Sequence, residues 1–507
     1  MKKIVTLSLV AAMSTTMAFG STASDLRAMK AEIAKLKAEV SSLKKSGSPA
    51  KIKKLTKKIN EVKAHDAGDN IKWGVDMRTS IDSINYDMAD GSERSKNDLM
   101  SMRLWLNMAY APDSHNIFKG QLSMNKAFGA DFTGQRTYSM GGQFDWVTNE
   151  ALTDSSLKVR QAYWLYLGDN LFSADIPWTF SVGRRPSTGG FLGNLRNDDT
   201  AQSPLAHVID VEFDGLSSKL DLSNITGVAG MSFKICMGQG STNAKSLLDM
   251  SGSNYNNSDT DLEDIKLAGF IFEPYNDGQF IVKSTWYKAF DLPGMDMNPD
   301  GTPTDFKQFG DMQGAALSVM VDGLTEEGYF SDAKVFGSFA WSKTDPDTGS
   351  SMLGSADSET GTSYWIGTQL PVTEKGKFGL EFNHGSKYWR PFTYAEDTLI
   401  GSKIAARGDA LEAYFTYQIT DALSAQLRYT KIDYDYTGSN GFFGNYSGTP
   451  MKISDIKNAA AAWNAMTPAQ QGALPAAQQQ AMAGAAMFAP NIVETAQDFR
   501  FYLRYKF

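Results

Sequence analysis

Apolar and polar residues alternate along most of this chain with the period of two that is typical of β-strands. From Ile71 onward the alternation comes in segments of about ten residues, separated by turn-forming residues. The last segment is the clearest, because its apolar residues share one face. That set is Phe499, Phe501, Leu503, Tyr505 and Phe507, and the opposite set is Arg500, Tyr502, Arg504 and Lys506.

The segments predict sixteen strands whose connections alternate between long and short. Their ranges are 71–84, 99–111, 117–125, 157–168, 178–185, 208–223, 231–237, 264–272, 279–288, 313–321, 333–343, 362–370, 377–385, 409–419, 423–434 and 498–507. The strand at 208–223 requires a β-bulge near Asp214 and Gly215, because the apolar parity changes between Val211 and Leu220. An even number of such strands predicts an all-β fold, a 16-stranded antiparallel transmembrane β-barrel over residues 65–507 with an aqueous lumen. A secreted β-sandwich or propeller would explain neither the terminal strand nor the rhythm of the loops.

The last strand ends on Phe507 with Tyr505 two residues before it, which resembles the signal that outer-membrane barrels present to their assembly machinery. The resemblance implies a location in the cell outer membrane, in contact with outer-membrane lipid and lipopolysaccharide. Six aromatic residues on the lipid-facing parity fall near one set of strand ends and would form a girdle there. They are Trp73, Tyr110, Phe118, Trp178, Tyr505 and Phe507.

The N-terminal region follows other patterns. Residues 1–23 have the layout of a secretory signal peptide, with Lys2 and Lys3 before an apolar run and small residues after it. Residues 24–64 change to a heptad-like period, which predicts a periplasmic α-helical coiled-coil segment that supports a homotrimer. The heptad positions are Leu26, Met29, Ile33, Leu36, Val40 and Leu43. A helical hairpin or a basic spacer is the alternative, and the excess lysine would allow contact with peptidoglycan.

Charge and cysteine content exclude several classes of protein. The formal net charge is −8 although residues 25–64 are strongly basic, so the predicted barrel is clearly acidic. Nucleic-acid-binding domains carry the opposite charge, so nucleic acid is excluded as a partner. Cys236 is the only cysteine, which excludes an intramolecular disulfide.

The face opposite the lipid-facing set predicts a pore lining. Its basic members lie on the first five and the last two strands, which adjoin when the barrel closes: Lys72, Arg78, Arg103, Lys119, Lys158, Arg160, Arg185, Arg428, Arg500 and Arg504. Glu381 and Glu412 face inward on neighbouring strands. Opposed walls of opposite charge would favour a selective pore with anion preference. The alternative is that these charges only pair with one another and solvate a wet interior.

Two stretches at predicted outer strand ends could shape such a pore. The run from Gly183 to Gly190 could form an anion-binding nest of backbone N–H groups, or a rigid turn. The long extracellular loop at 435–497 is rich in Ala and Gln from Ile453 to Phe488, which predicts two short helices, the second beginning at Thr467-Pro468 or at Pro475. This loop would either fold inward as a plug or cap the rim.

No cofactor fingerprint, zinc spacing or nucleophile elbow is found, so a non-enzymatic protein without cofactors or metals is predicted. The motif from Asp296 to Gly301 begins like a calcium loop, but Lys307 stands at its twelfth position. The triplet His384 to Ser386 resembles the His-x-Ser of outer-membrane phospholipases, although Asp397-Thr398 stands where their orienting Asn is expected. A lipase is therefore the less favoured reading.

Four stretches look like a family of Gram-negative outer-membrane porin-like proteins known only by a domain of unknown function. They are Lys63 to Trp73, Arg103 to Ala111, Gly183 to Gly190 and Asp433 to Gly441. The resemblance implies the fold and the location but no substrate or site residue. The sequence thus predicts a porin-like outer-membrane channel for passive diffusion of small hydrophilic, anionic solutes. A structural or adhesin-type barrel with a closed lumen is the alternative.

Overall fold

The computed structural model describes residues 71–129, 152, 155–185, 188–246, 255–257, 263–296, 298, 302–304, 306–393, 398–439, 441 and 443–507. The signal peptide at 1–23 and the coiled coil at 24–64 lie outside the described residues, so both stay predictions. The same holds for the homotrimer and the peptidoglycan contact that were inferred from the coil.

Sixteen strands close into one barrel, in which each strand pairs antiparallel with its neighbours along the chain and the last pairs with the first. They are β1 (Lys72–Met88), β2 (Glu93–Tyr110), β3 (Asn116–Ala127), β4 (Lys158–Gly168), β5 (Trp178–Arg185), β6 (Phe213–Asp221), β7 (Ser232–Gln239), β8 (Lys266–Asn276), β9 (Phe280–Gly294), β10 (Lys307–Asp322), β11 (Lys334–Pro346), β12 (Thr360–Thr373), β13 (Gly376–Gly385), β14 (Gly408–Gln418), β15 (Leu423–Tyr434) and β16 (Val493–Lys506). The predicted 16-stranded antiparallel barrel is confirmed.

The predicted strand at 208–223 is wrong in its start and in its bulge, and several other strands are longer than predicted. β6 begins at Phe213 and pairs in continuous register with β5 and β7, so no bulge is present at Asp214 and Gly215. Residues 208–212 belong instead to the preceding loop, where Val211 is buried. The apolar parity changes because Val211 and Phe213 are buried in the core inside the barrel, whereas Leu216 and Leu220 lie on the outer face of β6.

Exposure alternates along the strands and defines two faces of the barrel. In β1 the outer face carries Met77 and Ile81, which are 39 % and 41 % exposed, whereas Asp76, Arg78 and Asp82 on the inner face are 6 % exposed or less. A broad exposed apolar surface of this kind suits contact with lipid. The six girdle residues predicted from the sequence lie on this outer face at one end of the barrel.

The two ends of the barrel differ in their connections. At the short-turn end the strands are joined by short segments such as 277–279, 374–375 and 419–422. At the long-loop end lie loop A (residues 186–212), loop B (residues 386–407) and loop C (residues 435–492). Loop A crosses the lumen to the short-turn end, because the backbone carbonyl of Asn197 accepts a 2.8 Å hydrogen bond from Arg504 near the end of β16.

Loop C contains three helices where two were predicted. A single helical turn, α1 (Ser223–Thr226), lies at the short-turn end, and loop C forms α2 (Ile453–Ala465), α3 (Pro468–Gly472) and α4 (Ala476–Phe488). Thr467 caps α3 through a capping box and Pro475 precedes α4, so both predicted starting points are used. The exposed helices of loop C cap the rim, whereas loops A and B and the segment of loop C at Phe443 fold inward. Among the described residues, no helix has the length and hydropathy needed to cross a membrane.

The apolar core lies inside the barrel, on one side of the lumen. The inner face of β8 to β12 carries large apolar side chains, and loops A and B cover them. The wall contributes Leu267, Tyr287, Met312, Phe336 and Trp365, loop A contributes Phe191, Leu192, Leu195, Leu205 and Val208, and loop B contributes Trp389, Phe392 and Ile404. Burial of this surface fixes loop A inside the barrel.

Candidate functional site

A cavity of about 500 Å³ lies between loop A and the inner face of β1 to β4 and β16. It begins at the short-turn end and extends to Trp365 and to loop B. Eight basic side chains line it against three acidic ones. The basic set is Lys72, Arg103, Lys119, Arg160, Arg196, Lys403, Arg504 and Lys506, and the acidic set is Asp76, Asp199 and Asp210. The cavity therefore has a positive electrostatic character.

Trp105 on β2 holds two arginines of this cavity. The guanidinium carbons of Arg103 and Arg160 lie 3.4 and 4.4 Å from the centroid of its indole ring, within cation–π distance. The indole N–H donates to Ser123 Oγ at 3.1 Å, which fixes the ring, and Arg160 donates a further hydrogen bond to Thr188 of loop A. Both arginines are thus held at the cavity wall by side chains of the barrel and of loop A.

Ion pairs tie loop A to the short-turn end of the barrel. Arg504 donates from Nε to Asp76 Oδ1 at 2.8 Å and pairs with Asp199 of loop A at 3.0 Å. Lys506 lies 2.6 Å from Asp199. Burial opposes ionisation of Asp199, but the charges of Arg504 and Lys506 outweigh it and hold the pKa of the carboxyl below its ordinary value.

A second group of charges, the Glu381–Glu412 cluster, joins both inserted loops to the wall. Glu381 on β13 and Glu412 on β14 are direct cross-strand partners, and Lys403 Nζ of loop B lies 2.5 Å from an oxygen of each. Arg196 of loop A lies 3.2 Å from Glu412, and Arg428 on β15 lies 4.0 Å from it. All five side chains are buried. Two neighbouring carboxylates would repel one another, so the cluster depends on the cations that the loops supply.

His207 anchors loop A by hydrogen bonds. It is fully buried, and its Nδ1 and Nε2 atoms lie 2.8 Å from Ser338 Oγ and 2.9 Å from Ser363 Oγ. Because Ser363 donates its own hydrogen to Asn383 Oδ1 at 3.0 Å, Nε2 of His207 is the donor and Nδ1 the acceptor. Burial lowers the pKa of His207 to about 3, so the imidazole is neutral.

The structure places the twelve predicted pore residues on the inner face. Five of them line the cavity: Lys72, Arg103, Lys119, Arg160 and Arg504. The other seven lie elsewhere on the inner face: Arg78, Lys158, Arg185, Glu381, Glu412, Arg428 and Arg500. Arg504, Arg78 and Arg103 are consecutive cross-strand partners and form one row.

Carboxylates accompany these cations, which differs from the predicted opposed walls. Asp76 lies 3.5 Å from Arg103, and Asp82 pairs with Arg500. These aspartates were missed, although they occupy the same strand parity as the arginines and could have been read from it. Glu381 and Glu412 have cations of their own, because the loops supply Arg196 and Lys403. No strand pattern could have indicated these two, since they lie in irregular loops.

In the predicted anion nest at Gly183 to Gly190, a carboxylate of the protein itself accepts one of the backbone N–H groups. The backbone N–H of Gly189 donates to Asp210 Oδ1 at 3.0 Å, and Thr188 donates to Glu212 at 2.8 Å. Arg185 lies over the Tyr163 ring at 5.2 Å on the inner face. Thr188 and Gly189, near the start of loop A, are therefore hydrogen-bonded to the last residues of the same loop.

The possible lipase residues lie on the outer surface at the long-loop end. His384 Nδ1 is 2.7 Å from Asp409 Oδ1, so Asp409 is the orienting carboxylate that the sequence did not indicate. Ser386 Oγ accepts the backbone N–H of Thr362 at 2.8 Å, and among the described contacts no hydrogen bond joins it to His384. Asp397 lies outside the described residues. The carboxylate–histidine pair is present, but the described contacts do not include the histidine–serine hydrogen bond that would activate a serine nucleophile.

In the part of the chain that the structure describes, no His, Cys, Asp and Glu side chains are grouped as a metal site requires. Of the calcium-like motif only Asp296 and Asn298 are described, and Lys307 Nζ lies 4.0 Å from Asp296.

Residues 93–474 match the family model described as "Protein of unknown function (DUF3373)". The chain belongs to this family. No curated protein matches it. Solved structures similar to this DUF3373 member include the in-vitro folded OmpT, an outer membrane protein of Vibrio cholerae. The two sequences are 12 % identical, the similarity covers 86 % of this chain and 97 % of that chain, and the TM-score is 0.42. An anion-selective porin from Comamonas acidovorans is similar at 10 % identity, 86 % and 99 % coverage and a TM-score of 0.43. OprB of Pseudomonas putida is similar at 11 % identity, 88 % and 96 % coverage and a TM-score of 0.46.

Proposed function

We propose that this protein is an outer-membrane channel for the passive diffusion of small hydrophilic solutes, with a preference for anions. The observation that carries the proposal is the cavity inside a closed barrel, in which eight basic side chains stand against three acidic ones. A polar interior of this charge favours anions over cations of the same size.

The outer face supports the location. Apolar side chains such as Ile81, Leu317 and Phe339 are 41 to 54 % exposed on the strands, and the six residues of the predicted aromatic girdle lie at one end of the barrel. A protein surrounded by water rarely exposes so extended an apolar band, whereas a barrel in lipid needs one.

A barrel with a closed lumen is the second candidate, and loops A and B favour it. Their apolar residues fill one side of the lumen, and the Glu381–Glu412 cluster ties both loops to the wall. Lipolysis has less support, because Ser386 is hydrogen-bonded to the backbone of Thr362 and not to His384.

Single-channel recording in planar bilayers tests the proposal. We expect ohmic steps from the folded mature protein and a reversal potential of anionic sign in a salt gradient. The double variant Arg103→Ala/Arg160→Ala should move that potential toward zero. Arg184→Ala is the matched control, because Arg184 lies on the outer face of β5 and pairs with Asp214 at 3.2 Å.

Folding of each variant is checked by far-ultraviolet circular dichroism and by the mobility shift that barrels show on heating. No conductance from a correctly folded barrel would overturn the channel and favour the closed barrel. Conductance without anion preference would keep the channel and overturn its selectivity.

A further inference from the structure

We propose that the cavity is a saturable binding site for small multivalent oxyanions, entered from the short-turn end of the barrel. This inference deepens the proposed channel function and rests on it, since the cavity is taken to be part of the path of the solute. The inference specifies which class of solute binds and from which end of the barrel it enters, whereas a general diffusion pore has no such preferences.

The balance of charge in the cavity favours an anion with more than one charge. Its acidic side chains already have protein partners: Asp76 pairs with Arg504, Asp199 with Lys506, and Asp210 accepts the N–H of Gly189. Three buried carboxylates next to the cavity also pair with its cations: Glu212 with Arg160, Glu381 with Lys403 and Glu412 with Arg196. Two basic side chains then remain in excess over the acidic ones, on walls of low dielectric constant. One chloride ion balances half of this excess, whereas one divalent anion balances all of it.

The arrangement of Arg103 and Arg160 fits a ligand with oxyanion groups. The two guanidinium carbons lie 3.4 and 4.4 Å from the same point, the centroid of the Trp105 indole ring. The distance between the two carbons therefore cannot exceed the sum of these values. Arg160 also donates to Gln121 and to Thr188, and Arg103 lies 3.5 Å from Asp76, so a ligand would share these guanidinium groups with protein acceptors. Each guanidinium has five N–H donors and binds carboxylate and phosphate oxygens through them. Because the indole holds both groups in place, binding loses less side-chain entropy than with unrestrained arginines.

Two lysines define the entrance. Lys72 is the first residue of β1 and Lys119 lies near the start of β3, both at the short-turn end, and both line the cavity. Lys119 is exposed to solvent. Cations at the mouth and deeper inside form a positive funnel that concentrates anions toward the Trp105 region. On the far side the cavity meets Trp365 and loop B, which belong to the buried core. Entry from the short-turn end is therefore favoured.

Phosphate esters and polycarboxylates share this oxyanion chemistry, so the experiment uses one probe of each kind. Isothermal titration of the folded, detergent-solubilised mature chain is carried out with inorganic pyrophosphate and with citrate, and chloride is the monovalent reference. We expect saturation at one ligand per barrel for pyrophosphate, citrate or both, and none for chloride. The probe that saturates at lower concentration identifies the source.

Lys119→Gln and Lys126→Gln form a matched pair on β3. Lys119 lines the cavity, whereas Lys126 pairs with Met102 and lies on the outer face. We expect Lys119→Gln to weaken binding about threefold, as the loss of one solvated charge interaction would, and Lys126→Gln to leave it unchanged. Arg103→Gln/Arg160→Gln should weaken it more than tenfold. Lys119 is exposed, so its substitution keeps the test valid even where the double arginine variant fails to fold.

Bilayer recordings give the side of entry. Pyrophosphate or citrate added at the short-turn side should reduce the chloride current with saturation, and the same addition at the long-loop side should have a much weaker effect.

The outcomes separate the two proposals. Anion-preferring current without saturable binding of either probe would overturn the site and leave the channel intact. Saturable binding by a barrel without conductance would support the site and overturn the channel. Equal effects of Lys119→Gln and Lys126→Gln, or equal block from both sides, would overturn the location.

Discussion

The two halves of the barrel lumen are filled by different chemistry. On the inner face of β8 to β12, loop A buries Phe191, Leu195 and Leu205 against an apolar wall. On the side of β1 to β4 and β16, the same loop presents Thr188 and Asp199 to a charged cavity. Apolar contact stabilises without specifying direction, whereas buried ion pairs have a high desolvation cost and specify position. The apolar half therefore holds loop A in the barrel, and the charged half gives the cavity its shape.

The largest effect is expected from Phe336→Ala, in the apolar half. Phe336 is 4 % exposed and lies 5.1 Å from the Trp365 ring in edge-to-face geometry. Removing a buried aromatic ring leaves a cavity and should lower the free energy of unfolding by about 4 kcal/mol. Denaturant unfolding of the refolded barrel in lipid measures this loss.

Phe339→Ala is the control on the same strand. Phe339 lies on the outer face and is 54 % exposed to the surroundings of the barrel, so its removal creates no internal cavity. A loss at Phe339 equal to that at Phe336 would show that the apolar half of the lumen is not a packed core.

Glu412→Gln should have the next largest effect, in the charged half. The substitution removes the carboxylate that lies 3.2 Å from Arg196 and one of the two that lie 2.5 Å from Lys403. Both cations are buried, at 3 to 4 % exposure. Breaking a buried ion pair by removing one partner should cost about 3 kcal/mol. Limited proteolysis should then cleave loops A and B faster than in the wild type.

The double variant Glu412→Gln/Lys403→Met tests whether this loss comes from an unpaired charge. Removing both partners should cost less than the sum of the two single losses, by about 1–3 kcal/mol in a double-mutant cycle. Additive losses would mean that Lys403 and Glu412 are not coupled.

The strands could be predicted because the barrel forces a simple rule on them. A wall with lipid on one side and a polar lumen on the other requires period-two alternation, and long loops alternate with short turns when all strands are antiparallel. The predicted strand was wrong at 208–212, because a loop inserted into the barrel also carries buried apolar residues. Val211 is buried against the core and not against lipid, and a hydrophobicity pattern cannot distinguish the two.

The cavity was only partly predictable for a related reason. Parity identifies inner-face residues such as Arg103 and Arg160, but the depth and the partners of each depend on the path of loop A. Arg196, His207 and Lys403 lie in loops without repeating geometry, so their contacts with Glu412 and Ser338 follow from tertiary structure alone. The sequence indicated loop C as the possible plug because of its helices, and these lie at the rim.

Acid should lower the free energy of unfolding through His207, which anchors loop A in the apolar half of the lumen. Its folded pKa of about 3 lies below the unfolded value of about 6.5, so its contribution to stability is complete above pH 6.5 and falls as the pH drops toward 3. At pH 5 the loss should be about 2 kcal/mol relative to pH 7.5. His207→Gln keeps a donor and an acceptor without titrating, so unfolding measured at both pH values should show a smaller difference. Equal differences in wild type and variant would rule out His207 as the cause.

Asp199→Asn should change stability least and selectivity most clearly. The carboxylate pairs with Arg504 and with Lys506, which is 51 % exposed, so its loss should cost only about 1 kcal/mol in a partly solvated site. It also adds one unit of positive charge to the cavity balance, and the reversal potential should move further in the anionic direction. Asp198→Asn is the control, because Asp198 pairs with the exposed Lys377 and does not line the cavity, and Asn tolerates its φ of 53°. The same shift in both variants would mean that selectivity follows the overall charge at the short-turn end, and a shift in Asp199→Asn alone would assign it to the cavity that loop A encloses.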